Sequence, residues 1–93
     1  MRQKGPVKTN IAWVKKKMRV SILGLKQIIW QGRTKEVVLP TDDGEMCVLD
    51  FHQPFLVKLR KGDIRLGAGV SKVSIAEGIA RMYGNELTIL AQT

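Results

Sequence analysis

VVLPTDDGEMCVLDFHQPF, residues 37–55, decides how this chain is read. Two apolar runs flank Asp42-Asp43-Gly44, a turn sequence, and Pro54 closes the second run after His52. Runs of four to eight β-branched and aliphatic residues between Gly, Pro and Asp read as strands joined by tight turns. The same rhythm continues on both sides. Upstream, Arg19–Leu23, Gln27–Gln31 and Thr34–Leu39 read as strands, the last closed by Pro40. Downstream, Glu45–Leu49, Phe55–Leu59, Ile64–Leu66, Val70–Ile75, Ile79–Tyr83 and Leu87–Ala91 follow. Lys61-Gly62-Asp63 reads as a turn. Gly84-Asn85 between Tyr83 and Glu86 is a two-residue hairpin signal, because both positions tolerate positive φ. Ser74–Arg81 has helical composition, but Gly78 at its middle and strand-like flanks favour a hairpin. No segment after Met18 sustains a 3.6-residue period. The expectation is an all-β fold, a two-sheet antiparallel β-sandwich of about ten short strands.

Ninety-three residues make one small domain. Apolar residues are 44% of the chain, enough for a folded core. No apolar run approaches the roughly 18 residues of a membrane-spanning helix. The net charge of +8 is concentrated at one end. Residues 1–19 carry seven Lys or Arg and no acid, while the rest carry nine against eight. The body is therefore close to neutral. Its aromatics, Trp30, Phe51, Phe55 and Tyr83, do not interleave with basic residues as a nucleic-acid stacking surface would. Residues 1–18 read as a basic extension, expected to be disordered, before a domain at 19–93. Three accounts of it stand open: an arm for anionic lipid or nucleic acid, a targeting segment, or an extension upstream of a start at Met18.

Catalytic chemistry is hard to place. Asp42 and Asp43 are adjacent on a turn, so their carboxylates splay rather than converge, and they read as solvated. His52 has no nucleophile at a recognised spacing, although Asp50 is near enough in sequence to orient it. The glycines at 62, 67 and 69 form no phosphate-binding loop. Cys47 is the single cysteine. It excludes an internal disulfide, fits a reducing compartment, and reads as a small buried apolar residue. With one Cys and one His, no metal site is expected.

VVLPTDDGEMCVLDFHQPFLVKLRKGDIRL resembles the amino-terminal β-domain of the epsilon subunit of F-type ATP synthases. Leu39, Pro40, Gly44, Glu45, Val48, Leu49, His52, Pro54, Leu56, Leu59, Gly62 and Ile64 stand in register with that family's pattern. SILGLKQIIWQG and EGIARMYGNELTILAQT match its first strands and its end, so the resemblance covers residues 19–93. Cys47 stands where a Gly is usual, Asp50 where a Pro is usual, and Phe51 where a small residue precedes the His. The family's carboxy-terminal helical hairpin, which carries inhibition, has no counterpart before Thr93.

The resemblance implies a non-catalytic rotor subunit of the central stalk, coupling the gamma subunit to the membrane c-ring. It implies c-ring contacts at Thr41, Asp42, Asp43, Gly44 and Glu45, and gamma contacts at His52, Gln53 and Pro54. No cofactor, small-molecule ligand or nucleic acid is expected. The implied location is peripheral, on the cytoplasmic face of a bacterial inner membrane ahead of a mitochondrial or plastid one. Competing readings are a small β-barrel RNA-binding protein with a basic arm, a small β-fold enzyme, and a coupling protein outside ATP synthesis.

Overall fold

The computed structural model describes residues 17–67 and 71–93. The expectations for residues 1–16, and for the start of the seventh strand at Val70, lie outside these residues. Nine strands are described: β1 (Met18–Leu23), β2 (Ile28–Thr34), β3 (Glu36–Thr41), β4 (Gly44–Leu49), β5 (Phe55–Leu59), β6 (Gly62–Leu66), β7 (Ser71–Ile75), β8 (Glu77–Tyr83) and β9 (Glu86–Gln92). Met18, read from sequence as the end of the basic extension, is the first residue of β1 and is fully buried.

The strands form two layers from one continuous ladder. One layer runs β2-β1-β9-β8-β5 and the other β4-β3-β6-β7. A single pair, Thr41 with Leu59, joins them between β3 and β5. Period-2 alternation drives the closure. Met18, Val20 and Ile22 of β1 and Leu87, Ile89 and Ala91 of β9 point inward. Val37 and Leu39 of β3, Ile64 and Leu66 of β6 and Ile75 of β7 meet them from the other layer. No polar side chain among the described residues is buried.

Local turn chemistry matches two expectations. Gly84 and Asn85 both have φ 58, which makes the β8–β9 connection a type I′ turn. Asp42 and Asp43 keep negative φ, and the positive step falls on Gly44 at φ 108. A β-carbon there would be strained, so Gly44 lets β3 turn into β4.

Four expectations are corrected. Ser74–Arg81 is not a hairpin: β7 pairs with β6, β8 pairs with β5 and β9, and the chain changes layer at Ala76. The Ala76 N–H donates to the Gln92 carbonyl at 2.6 Å and fixes the crossing. Gly78 lies inside β8, where the backbones approach closely. A β-carbon on it would sit 2.6 Å from the Leu90 carbonyl oxygen. Gly62 and Asp63 belong to β6, which leaves Arg60 and Lys61 as the link from β5. Pro40 does not close β3 but lies within it, opposite Glu45. On its other side β3 passes from β6 to β5, so the ladder gap falls at a residue without an N–H. Finally, β1 runs parallel to β9, the one parallel pairing among the described strands.

Candidate partner-contact surfaces

The five residues expected at the c-ring form the β3–β4 hairpin tip. The Thr41 hydroxyl donates to the Gly44 carbonyl at 2.6 Å and accepts from the Asp43 N–H at 3.3 Å. Thr41 therefore works within the turn, and Asp42 and Asp43 are carried outward and exposed. Glu45 is exposed too, but its carboxylate accepts from the Arg65 guanidinium at 3.0 Å. Such an exposed pair contributes about 0–1 kcal/mol. It does neutralise one of the three carboxylates at the tip. The unbalanced negative charge of the hairpin thus rests on Asp42 and Asp43.

His52, Gln53 and Pro54 follow the opposite end of β4. That strand spans Gly44–Leu49, so the two sets stand roughly 17 Å apart at ~3.4 Å per residue. His52 is half-buried, edge-on to Phe55 with centroids 5.4 Å apart and planes at 89°. Its Nδ1 lies 3.2 Å from the Gln53 carbonyl oxygen. Gln53 and Pro54 are exposed. Asp50 does not orient His52. Its carboxylate accepts the Met18 N–H at 2.9 Å and ties the start of β1 to this turn.

A third surface was not singled out from sequence. The outer face of the β1-β9-β8-β5 layer is polar at one end, with Arg19 and Glu86 3.9 Å apart and Arg81 over the Tyr83 ring at 5.7 Å. At the other end it is apolar. Leu23 pairs with Leu90 and Leu90 with Ile79, while Leu56 sits diagonally from Ile79. With Leu25 they line a groove beside the acidic hairpin. Leu56 is 69% exposed and Leu90 56%. The signal was present in the sequence: β5, β8 and β9 carry aliphatic residues at positions of both parities.

Cys47 is also corrected. It is exposed, because β4 turns Val48 inward and Cys47 outward. Its Sγ lies 3.7 Å from Glu36 Oε2. Slight desolvation, the Glu36 charge and this hydrogen bond all favour the neutral thiol and raise its pKa. A raised pKa means less thiolate at any given pH. Cys47 should therefore alkylate with iodoacetamide more slowly at pH 8 than an unstructured thiol peptide. Glu36→Gln should accelerate it, with the pH–rate curve moved to lower pH. Equal rates in the two proteins would show that Glu36 does not act on the thiol. Among the described residues no group of three or more His, Cys, Asp and Glu could hold a metal ion.

Residues 17–93 match the family model described as ATP synthase, Delta/Epsilon chain, beta-sandwich domain. The chain belongs to this family. The ATP synthase epsilon chain of Chromobacterium violaceum is 32% identical over 81 residues, covering 83% of this chain and 58% of that one. The chloroplastic epsilon chain of Chlamydomonas reinhardtii is 34% identical over 82 residues, covering 80% and 58%. This member of the Delta/Epsilon family thus spans somewhat over half the length of those relatives. Its fold is similar to a chain in the Euglena gracilis mitochondrial ATP synthase, with TM-score 0.74, 20% identity, and 84% and 52% coverage of the two chains. A chain of the Tetrahymena thermophila central stalk and c-ring gives TM-score 0.70 at 11% identity, covering 83% of this chain and 64% of that one.

Proposed function

We propose that this chain is a central-stalk subunit of an F-type ATP synthase, joining the gamma subunit to the c-ring as a rotor element and making no bonds itself. The observation that carries the proposal is the division of the surface. An apolar sheet face and an acidic hairpin adjoin on one rigid sandwich, as a part that holds one partner tightly and touches another by charge requires. The outer sheet face takes the gamma subunit, through Leu56, Ile79 and Leu90 at its apolar end and through His52, Gln53 and Pro54 beyond its polar end. The hairpin Thr41, Asp42, Asp43, Gly44 and Glu45 meets the polar loops of the c-ring. The chain is then peripheral to the membrane through the complex. The epsilon-chain names of the relatives support this reading.

Co-expression with the gamma subunit of its own organism tests the first half. A complex should co-elute in size exclusion and persist at raised salt, because apolar contacts are not screened. Absence of a complex would overturn the assignment. The second half predicts a separable effect. The double variant Asp42→Asn, Asp43→Asn should bind gamma unchanged. Its affinity for a c-ring-containing complex should fall by roughly 5-fold per charge at most, given about 1 kcal/mol for an exposed pair. That loss should shrink as salt rises. A loss of gamma binding instead would move the hairpin to the other partner.

A further inference from the structure

The turn after β4 holds a side chain that the fold does not use. Phe51 has φ 59, in the left-handed region that suits Gly, Asn or Asp and strains a bulky residue. Phe51 is 63% exposed and is not among the residues packed on the core. The strain is nevertheless held firmly in place. The Phe51 N–H donates to Asn85 Oδ1 at 2.7 Å, from the β8–β9 turn. The His52 N–H donates to the Leu49 carbonyl at 3.1 Å, and the Asp50 N–H to the Lys35 carbonyl at 3.2 Å. The Asp50 carboxylate adds its bond to the Met18 N–H. Three separate elements therefore pin the backbone on either side of one aromatic ring that points to solvent.

Strain of this kind persists where the surroundings over-determine it, and it points to a use outside the fold. A ring whose backbone is fixed in advance loses little freedom on binding, and aromatic side chains dominate the buried centres of interfaces. Leu49, two residues earlier, is also exposed, on the outer side of the β4-β3-β6-β7 layer. The next three residues are His52, Gln53 and Pro54, and they run directly into β5 and its outward Leu56.

We propose that Phe51 is an anchor residue that inserts into an apolar pocket on the gamma subunit. The proposal rests on the gamma reading above and deepens it. It extends that interface past the polar end of the outer sheet face, where Arg19, Glu86, Arg81 and Tyr83 lie, to the Asp50-Phe51 turn beside Asn85. The pocket on gamma is apolar and open enough for a benzyl group.

The test measures the affinity of gamma for three proteins: the full chain, Phe51→Gly and Phe51→Tyr. Glycine takes φ 59 without strain, so Phe51→Gly should fold with an unchanged or raised Tm. Its affinity for gamma should fall by roughly 30-fold, the scale of an interface hot spot. Phe51→Tyr should stay within about 3-fold of the parent. A Phe51→Gly protein that binds gamma as tightly as the parent overturns the anchor while leaving the stalk reading intact. A parent chain that fails to bind gamma overturns both.

Discussion

Gly78→Val is expected to lower the midpoint of thermal unfolding by roughly 12–24 °C, from an overpacking cost of about 3 kcal/mol at ~4–8 °C per kcal/mol for a domain of this size. The reason is backbone against backbone. Gly78 is the second residue of β8, held between Leu59 of β5 and Ala91 of β9 on its two sides. Its missing side chain lets the Leu90 carbonyl come within 2.6 Å of where a β-carbon would stand. No rotamer change relieves such a clash, so the strands must separate or the layer must buckle. Gly32 offers the contrast. A β-carbon there would meet the far edge of the Trp30 ring at 2.8 Å, and that ring can swing on the open edge strand β2. Gly32→Ala should therefore cost clearly less than Gly78→Val. Differential scanning calorimetry of the two variants decides the matter. A Gly78→Val midpoint within about 4 °C of the parent would mean that β8 and β9 separate easily.

Loss of the gamma complex is the second large effect. The variant Ile79→Asp, Leu90→Asp should remain folded yet fail to co-elute with gamma. Both side chains point outward, opposite Ala80 and Ile89, which are fully buried and untouched. Removing two aliphatic groups from a buried contact forfeits about 1.5–3 kcal/mol each, and two carboxylates in an apolar interface add a desolvation penalty. Together these should weaken binding by more than about 100-fold. Far-UV circular dichroism and Tm should stay near parental values, which separates this outcome from misfolding. Co-elution at parental levels would remove the outer sheet face from the interface.

Much of this was open to reading in sequence because it is local. Gly84-Asn85 and the Asp42-Asp43-Gly44 turn are set by which residues accept positive φ, and they fold as the chain predicts. The layer crossings are different. Nothing near Ala76 says that β7 will pair with β6 while β8 pairs with β5 and β9, since those partners are distant in the chain. Gly78 carried the wrong suggestion because a glycine for close approach and a glycine for a turn look alike in sequence. Cys47 failed for another reason. Met46, Cys47, Val48 and Leu49 are all apolar, so the run does not reveal which parity faces the core, and a one-residue shift exchanges the faces. The same two-sided apolarity hid the groove at Leu56, Ile79 and Leu90. Of the residues named in advance, the structure keeps Thr41–Glu45 together on one hairpin and His52–Pro54 together at the far end of β4.

The parallel pairing of β1 with β9 has a kinetic meaning. Arg19 is paired with Glu86, 67 positions later, and these contacts sit at the centre of a layer rather than at its rim. During synthesis at about 5–20 residues per second, β1 therefore waits roughly 3–13 s for its neighbour. Until β9 arrives, β1 and β2 are a two-stranded ribbon with an unsatisfied apolar edge. Contacts of such long range make for slow folding. The nascent chain is most vulnerable to edge-to-edge association in that interval, and it ends when the last strand slides between β1 and β8.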